Sequence, residues 1–251
     1  MDGYRETDRR RGNERTAGER DANEWTVGER LPVVVGWTGA SGVVYGVRLV
    51  EVLLRCGVDV RLIISAAAQI VLREELNLSL AEPLDTNGFM AALQPTISVA
   101  NGVDSGRDQA EAGGETEPSL GRLTLDAWDD PAAEVASGSF RTHAMVICPC
   151  SMATLGAIAS GAGRNLIHRV AEVHLKERRP LVFVPRETPL SLIALRNMVT
   201  LTEAGAVMLP ASPGFHGNCE TVRDLIDFVV ARICDLLRIS HNIGRRWSPQ
   251  G

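Results

Sequence analysis

Apolar residues fall into two kinds of block along this chain. Short, almost continuous runs at Leu31–Trp37 (LPVVVGW), Val58–Ser65, Met145–Cys150 (MVICPC), Leu181–Pro185 and Ala206–Pro210 read as buried strands. Between them the apolar period changes to that of a helix. Val47, Val50, Leu53 and Leu54 predict a helix over Gly42–Cys56, and similar spacing predicts helices over Ala67–Leu76, Leu166–Arg179 and Val222–Ile239. Ser151 is placed to cap a helix after the third strand. Thr188–Pro189 has the form of an N-cap followed by Pro at the first helical position, opening a helix to about Ala204. Short apolar strands alternating with long helices predict one α/β core: a mainly parallel sheet covered by helices on both faces.

Ligands of such sheets sit outside the carboxyl ends of the strands, at the switch point. That rule selects Thr38–Gly42, Ser65, Cys150–Thr154, Arg186–Glu187 and Ala211–His216, where Gly, Ser, Thr and charged residues concentrate.

Two polar stretches depart from the pattern. Residues 1–30 are rich in Arg, Glu, Asp and Gly and lack apolar periodicity, so a disordered tail is expected. Residues 101–119 (NGVDSGRDQAEAGGETEPS) read as a mobile surface insertion in an α/β domain spanning 31–240, and 241–251 as a C-terminal tail carrying Trp247. The 251 residues suit a single large core. A formal net charge of −5 argues against nucleic-acid binding by phosphate neutralisation. No apolar run reaches the ~20 residues of a membrane span, and the tail matches neither a secretory signal nor a transit peptide. Five Cys at irregular spacings do not form a disulfide framework, so a reducing, cytoplasmic setting is expected. Cys148-Pro149-Cys150 has no second pair nearby to complete a zinc site, and no metal is expected.

The first strand runs into Gly36-Trp37-Thr38-Gly39-Ala40-Ser41-Gly42. Small residues let a backbone approach an anion, and the next helix offers free N–H groups and a positive dipole end. The same string occurs in short-chain dehydrogenases, but those need a Tyr with a Lys four residues on. This chain has only Tyr4 and Tyr45, and its one Lys is Lys176. Ser65, Ser151 and Thr154 end other strands, where they can cap helices or bond phosphate; together at one sheet edge they favour a flat, phosphorylated cofactor. Arg169, Lys176, Arg186 and Arg232 form a basic set, with Arg169 and Lys176 seven apart on one predicted helix face. Of the 26 basic residues only Lys176 is not Arg, which hints that a compact ammonium is needed there.

The segments TGASGVVYGVRL, MVICPCSMATLGAIASG, VHLKERRPLVFVPRETPLSLIALRNM, LPASPGFH and DFVVARICDLL resemble the UbiX family of flavin prenyltransferases, in order over about residues 32–247. The resemblance implies a flavodoxin-like or Rossmann-like three-layer α/β sandwich that forms a homo-oligomer, dodecameric in this family, and attaches a dimethylallyl group from dimethylallyl monophosphate to N5 and C6 of reduced FMN without a metal. The product would serve partner decarboxylases of the UbiD type, in quinone synthesis or aromatic-acid breakdown. Carried over by position, Gly39, Ala40, Ser41, Ser65, Ser151, Thr154 and Arg186 match FMN contacts. Arg169, Lys176 and Arg232 match the donor-phosphate site; Glu75, Ser41 and Glu187 match polar groups implicated in proton transfer, and Lys176 is counted with them as catalytic. Trp128 and Trp247 match aromatics that line the prenyl site, across subunit boundaries. In the segment where the family places Tyr after Phe, this chain has Pro213-Gly214-Phe215-His216, which substitutes a group whose charge varies with pH in the donor site.

Two alternatives share the glycine-rich turn. A flavin-dependent cysteine decarboxylase would not need the basic donor cluster, and a non-catalytic FMN carrier or assembly subunit is suggested only by the Tyr-to-His departure.

Overall fold

Val33–Trp37 forms β1, whose five residues are all buried because parallel partners flank both edges and helices cover both faces. Val33, Val35 and Trp37 pack into one layer and Val34 into the other, the two-residue alternation of a strand. The computed structural model describes residues 31–80, 85–100, 119–215 and 219–244. The expected tail at 1–30 and nearly all of the 101–119 insertion lie outside these residues, as does the C-terminal stretch from 245.

From β1 the chain continues through α1 (Val43–Arg55), β2 (Val60–Ile64), α2 (Ala66–Leu76), α3 (Thr86–Ala100), β3 (Leu123–Asp126) and a 3-10 turn at Glu134–Ala136. It then forms β4 (Ala144–Cys150), α4 (Met152–Ala159), α5 (Leu166–Lys176), β5 (Leu181–Pro185), α6 (Leu192–Glu203), β6 (Val207–Met208) and α7 (Val222–Leu236). All strand pairs are parallel, in the order β3-β2-β1-β4-β5-β6. The order reverses between β1 and β4, so the switch point lies where the glycine-rich turn and Ser151 leave the sheet. One layer is built from buried residues of α1, α2, α3 and α7; the other from α4, α5, α6 and the 3-10 turn. This is the three-layer α/β sandwich that the alternating pattern predicts.

Four elements differ from the sequence expectation. β3 and α3 are additional, and β3 makes the sheet six-stranded among the described residues. The helix expected from Thr188 begins instead after Ser191, whose hydroxyl accepts from the Ala194 N–H at 3.1 Å. Both Thr188 and Ser191 suit a cap, but it is Ser191 that satisfies a free N–H of the first turn. β6 shrinks to two residues at the sheet edge.

Helix starts are secured by side chains. Ser65, Ser151, Asn165 and Thr221 cap α2, α4, α5 and α7, the last through a capping box with Asp224. Arg48 of α1 binds Asp227 of α7 at 2.6 Å and Glu51 at 2.9 Å, fixing α7, which carries Arg232, against the core. Among the described residues no helix is long and apolar enough to cross a membrane.

Candidate active site

At the carboxyl edge of the sheet the loops are tied to one another, chiefly through the backbone. The buried Thr38 hydroxyl donates to the Pro149 carbonyl at 2.8 Å and accepts from the Ser151 N–H at 2.8 Å, joining the loops after β1 and β4. The Ser65 N–H reaches the Trp37 carbonyl at 3.1 Å, and the Arg186 N–H reaches that of Cys150 at 3.4 Å. The Arg186 guanidinium then folds back, its Nε donating to the Ser41 carbonyl at 3.0 Å. Gly39 lies so close to the start of α2 that a Cβ there would stand 2.6 Å from that of Ala67. Gly39, Ala40, Ser41, Ser65, Ser151, Thr154 and Arg186 are thereby brought together at one edge.

The hydroxyls at this edge already have structural work. Ser65 accepts from the Ala68 N–H at 3.1 Å; Ser151 accepts from the Thr154 N–H at 3.3 Å and lies 3.1 Å from the Thr154 hydroxyl. Capping and ligand contact are compatible, because each cap also marks a helix N-terminus whose partial positive charge favours an anionic group. Two such termini, α2 and α4, flank the glycine-rich turn, and Arg186 adds a formal cation. This set of small residues, hydroxyls and one guanidinium fits the phosphate and polar ring edge of a flavin nucleotide.

The expectation that α1 offers free N–H groups needs correction. Glu75 spans from the far end of α2 and accepts from the Gly42 N–H at 2.9 and 3.1 Å and from the Val43 N–H at 3.1 Å. Gly42 takes a left-handed conformation (φ 91°) and has no side chain to cap the helix, so the Glu75 carboxylate takes that role. The Glu75 carboxylate is consequently fixed at the backbone that directly follows Ser41. Glu187 is exposed next to Arg186, its Oε1 accepting from the Thr188 N–H at 3.1 Å. Burial pushes the thiols of Cys148 and Cys150 far above the ordinary cysteine range, so neither is a thiolate nucleophile at neutral pH.

The donor-site candidates are divided between the two edges of the sheet. Trp128, two residues beyond β3, accepts through its carbonyl from the Leu166 N–H at 2.8 Å. Arg169, one turn along α5, donates from Nε to the Ala136 carbonyl at 3.1 Å and lines a cleft of about 410 Å³ with Asp129, Arg164 and Glu172. Lys176 ends α5 at the opposite, amino-terminal edge of the sheet. Its neighbour His174 bonds the Pro180 carbonyl and the Thr142 hydroxyl, each at 3.0 Å, and both precede strands. Arg232 also projects toward that edge: α7 ends where the Leu237 carbonyl meets His143, just before β4, at 2.8 Å. Lys176 pairs with Glu177, and Arg232 with Asp235 at 2.9 Å. Within one protomer, Lys176 and Arg232 are therefore about a strand's length, roughly 17 Å, from the carboxyl edge. His216 and Trp247 lie outside the described residues.

Thr38 is the site residue that sequence reasoning leaves unassigned. Its signal is present: a polar residue directly after a wholly apolar strand, which has no reason to be buried unless its hydroxyl bonds twice.

These features define a class. A family model described as Flavoprotein matches residues 23–234, so the chain belongs to the Flavoprotein family. Flavin prenyltransferase UbiX of Pseudomonas aeruginosa is 43% identical over 218 residues, covering 87% of this chain and 94% of that protein. A solved AnUbiX structure in complex with FMN and dimethylallyl pyrophosphate shares 35% identity with a TM-score of 0.70, covering 89% of this chain and all of that one. A dodecameric FMN-dependent UbiX-like decarboxylase from Escherichia coli O157:H7 shares 34% identity with a TM-score of 0.68, covering 87% and 100%. Within the Flavoprotein family, the chain belongs to the UbiX flavin prenyltransferases.

Proposed function

We propose that this protein transfers a dimethylallyl group from dimethylallyl monophosphate to reduced FMN, giving a prenylated flavin for a UbiD-type decarboxylase. The observation that carries this reading is the carboxyl edge itself: two capped helix N-termini, a glycine-rich turn and Arg186 tied into one unit, in a chain whose relatives are flavin prenyltransferases. Gly39, Ala40, Ser41, Ser65, Ser151, Thr154 and Arg186 would hold FMN, which supplies the nucleophilic ring atoms. Arg169, Lys176, Arg232 and His216 would bind the donor phosphate, and Trp128 and Trp247 the prenyl chain.

The chemistry asks two things of the protein. Breaking the allylic C–O bond puts negative charge on the departing phosphate, so fixed cations must face it. Aromatic faces such as Trp128 and Trp247 attract the complementary positive charge on the allyl fragment. Attachment at a second ring position also requires a proton acceptor. Glu75 is suited to that role, because two backbone N–H groups orient its carboxylate next to Ser41. Glu187 beside Arg186 is the other acceptor in reach of the same edge.

Since Lys176 and Arg232 stand on the far edge of their own sheet, the proposed site is composite. One copy supplies the flavin edge and another the donor cations. Closed homo-oligomers bring unlike surfaces together in this way, and a related UbiX-like protein is dodecameric. The face available for packing includes Leu190, just before α6, and Leu192, Ile193 and Val199 on it, all exposed.

The test is anaerobic incubation of purified protein with reduced FMN and dimethylallyl monophosphate, followed by mass analysis of the extracted flavin and assay of free phosphate. The expected result is a flavin heavier by one C₅ unit with equimolar phosphate. Bound, unmodified FMN and no phosphate would overturn transfer from this donor and favour a carrier.

A further inference from the structure

Between β3 and β4 the chain runs from Asp126 to Phe140 with only one 3-10 turn, yet every residue proposed here for donor binding on α5 rests against it. Trp128 belongs to it. The Ala136 carbonyl accepts from Arg169 Nε at 3.1 Å. Gly138 lies against the end of α5, where an added Cβ would be 2.8 Å from Lys176 Nζ and 2.5 Å from Glu177 Oε1.

Two arginines outside the segment hold it down. Arg61 of β2 makes a bidentate pair with Asp126, at 2.8 and 2.5 Å, and reaches Glu134 at 2.9 Å. The same guanidinium lies 5.1 Å from the centroid of the Phe140 ring. Arg179, just beyond α5, donates to the Phe140 carbonyl at 2.7 Å and to the Gly138 carbonyl at 2.5 Å. Arg61 thus bonds the half of the segment that meets Arg169 and touches its far end only through the Phe140 ring, while Arg179 bonds the half that meets Lys176. Bidentate and charge-assisted bonds of this sort fix direction as well as adding stability.

We propose that the segment Asp126–Phe140 is a strap that sets the aim of the donor-phosphate cations, and that Arg61 and Arg179 are positioning residues acting through Arg169 and Lys176 respectively. The inference rests on the donor-site reading of those two residues. Arg169 projects from an exposed helical position and could adopt many rotamers in isolation; the Ala136 carbonyl selects one. Lys176 and Glu177 meet the strap where it has no side chain, so the strap's distance from α5 bears directly on the ammonium.

The experiment is steady-state prenyl transfer with reduced FMN and dimethylallyl monophosphate, alongside FMN affinity by fluorescence quenching, on the full chain. Arg61→Met and Arg179→Met are each expected to raise the donor KM roughly tenfold, the scale of one lost charge-assisted bond, with FMN affinity within about twofold. Arg179→Lys is expected to recover part of the loss, since one carbonyl can still be bonded. The deciding readout is coupling. In an Arg169→Met background, Arg61→Met is expected to add little, and likewise Arg179→Met in a Lys176→Met background.

Fully additive losses, or donor KM values unchanged in Arg61→Met and Arg179→Met, would overturn the strap while leaving the donor site intact. Unchanged donor KM in both Arg169→Met and Lys176→Met would overturn the donor-site reading and the strap with it. Arg61→Met leaves Asp126 buried without its partner; if that variant does not fold, the Arg179 pair of variants decides the question, because Arg179 bonds only backbone carbonyls across this contact.

Discussion

The two edges of the sheet are built on different principles. At the carboxyl edge, Thr38, Ser65, Ser151, Arg186 and Glu75 are tied to backbone groups of other loops, so the arrangement is complete within one chain. At the amino-terminal edge, Lys176 and Arg232 pair with the near-neighbour carboxylates of Glu177 and Asp235 and remain more than half exposed. Exposed pairs of this kind are weak, typically worth ~0–1 kcal/mol. The first edge is a preorganised receptor. The second is a set of exposed cations paired with local carboxylates, which an anionic donor would replace under the proposed function.

That contrast is open to attack at several points, beginning with the largest effect. Glu75→Gln keeps an oxygen for capping α1 but removes the proton acceptor, so completed transfer is expected to fall roughly 100- to 10,000-fold with FMN still bound. Stopped-flow absorbance of the flavin measures both, and normal turnover would strip Glu75 of its assigned role. Lys176→Ala is expected to cost roughly 100-fold in donor use and to spare FMN binding. Loss of FMN as well would place Lys176 at the cofactor phosphate or in the structure. Mixing that variant with Arg186→Ala, after dissociation and reassembly, sharpens the point: a composite site regains activity from two inactive parents, and a site contained in one chain does not.

A smaller effect tests how tightly the carboxyl edge is packed. Gly39→Ala forces a methyl into the Ala67 contact, an overpacking worth about 1–3 kcal/mol, and is expected to lower both Tm and FMN affinity. Ala67→Gly should restore them in the double variant. The smallest concerns the other edge. Burial holds the His174 imidazole neutral, with its pKa lowered to about 4. The unfolded chain, titrating near 6.5, binds more protons in the window between those values, so stability falls as pH drops from 6.5 and levels off below 4. Between pH 6.5 and 5.5 the loss from this residue is about 1 kcal/mol. Denaturant titrations should show this slope reduced in His174→Gln; an unchanged slope would assign it to other groups.

Much of this was legible in the sequence because it depends on local pattern. β1 reads as a fully buried strand from LPVVVGW alone, and Ser151 is recognisable as a cap because it separates MVICPC from a small-residue helix. β3 is not legible. Four residues, LTLD, follow a polar stretch, and only pairing with Val60–Ile63 makes them a strand. The start of α6 shows a different limit, since Thr188 and Ser191 both satisfy the local rule. Of the site residues, Ser41, Ser65 and Arg186 follow from the strand-end rule, whereas the reach of Glu75 across to Gly42 depends on where α2 ends in space. The separation of Lys176 from Arg186 is likewise tertiary: it follows from α5 running back toward the strand starts.

The lateral strands have a consequence for how copies of this protein can join. β3 offers four residues and β6 two, too few for sustained strand-to-strand addition between molecules. The exposed leucines and isoleucine around α6 instead favour association through side-chain packing. Whether such packing closes into a particle of fixed size is set by the rotation that relates one copy to the next. An assembly joined through helix side chains would come apart and reform without unravelling the sheet of any protomer.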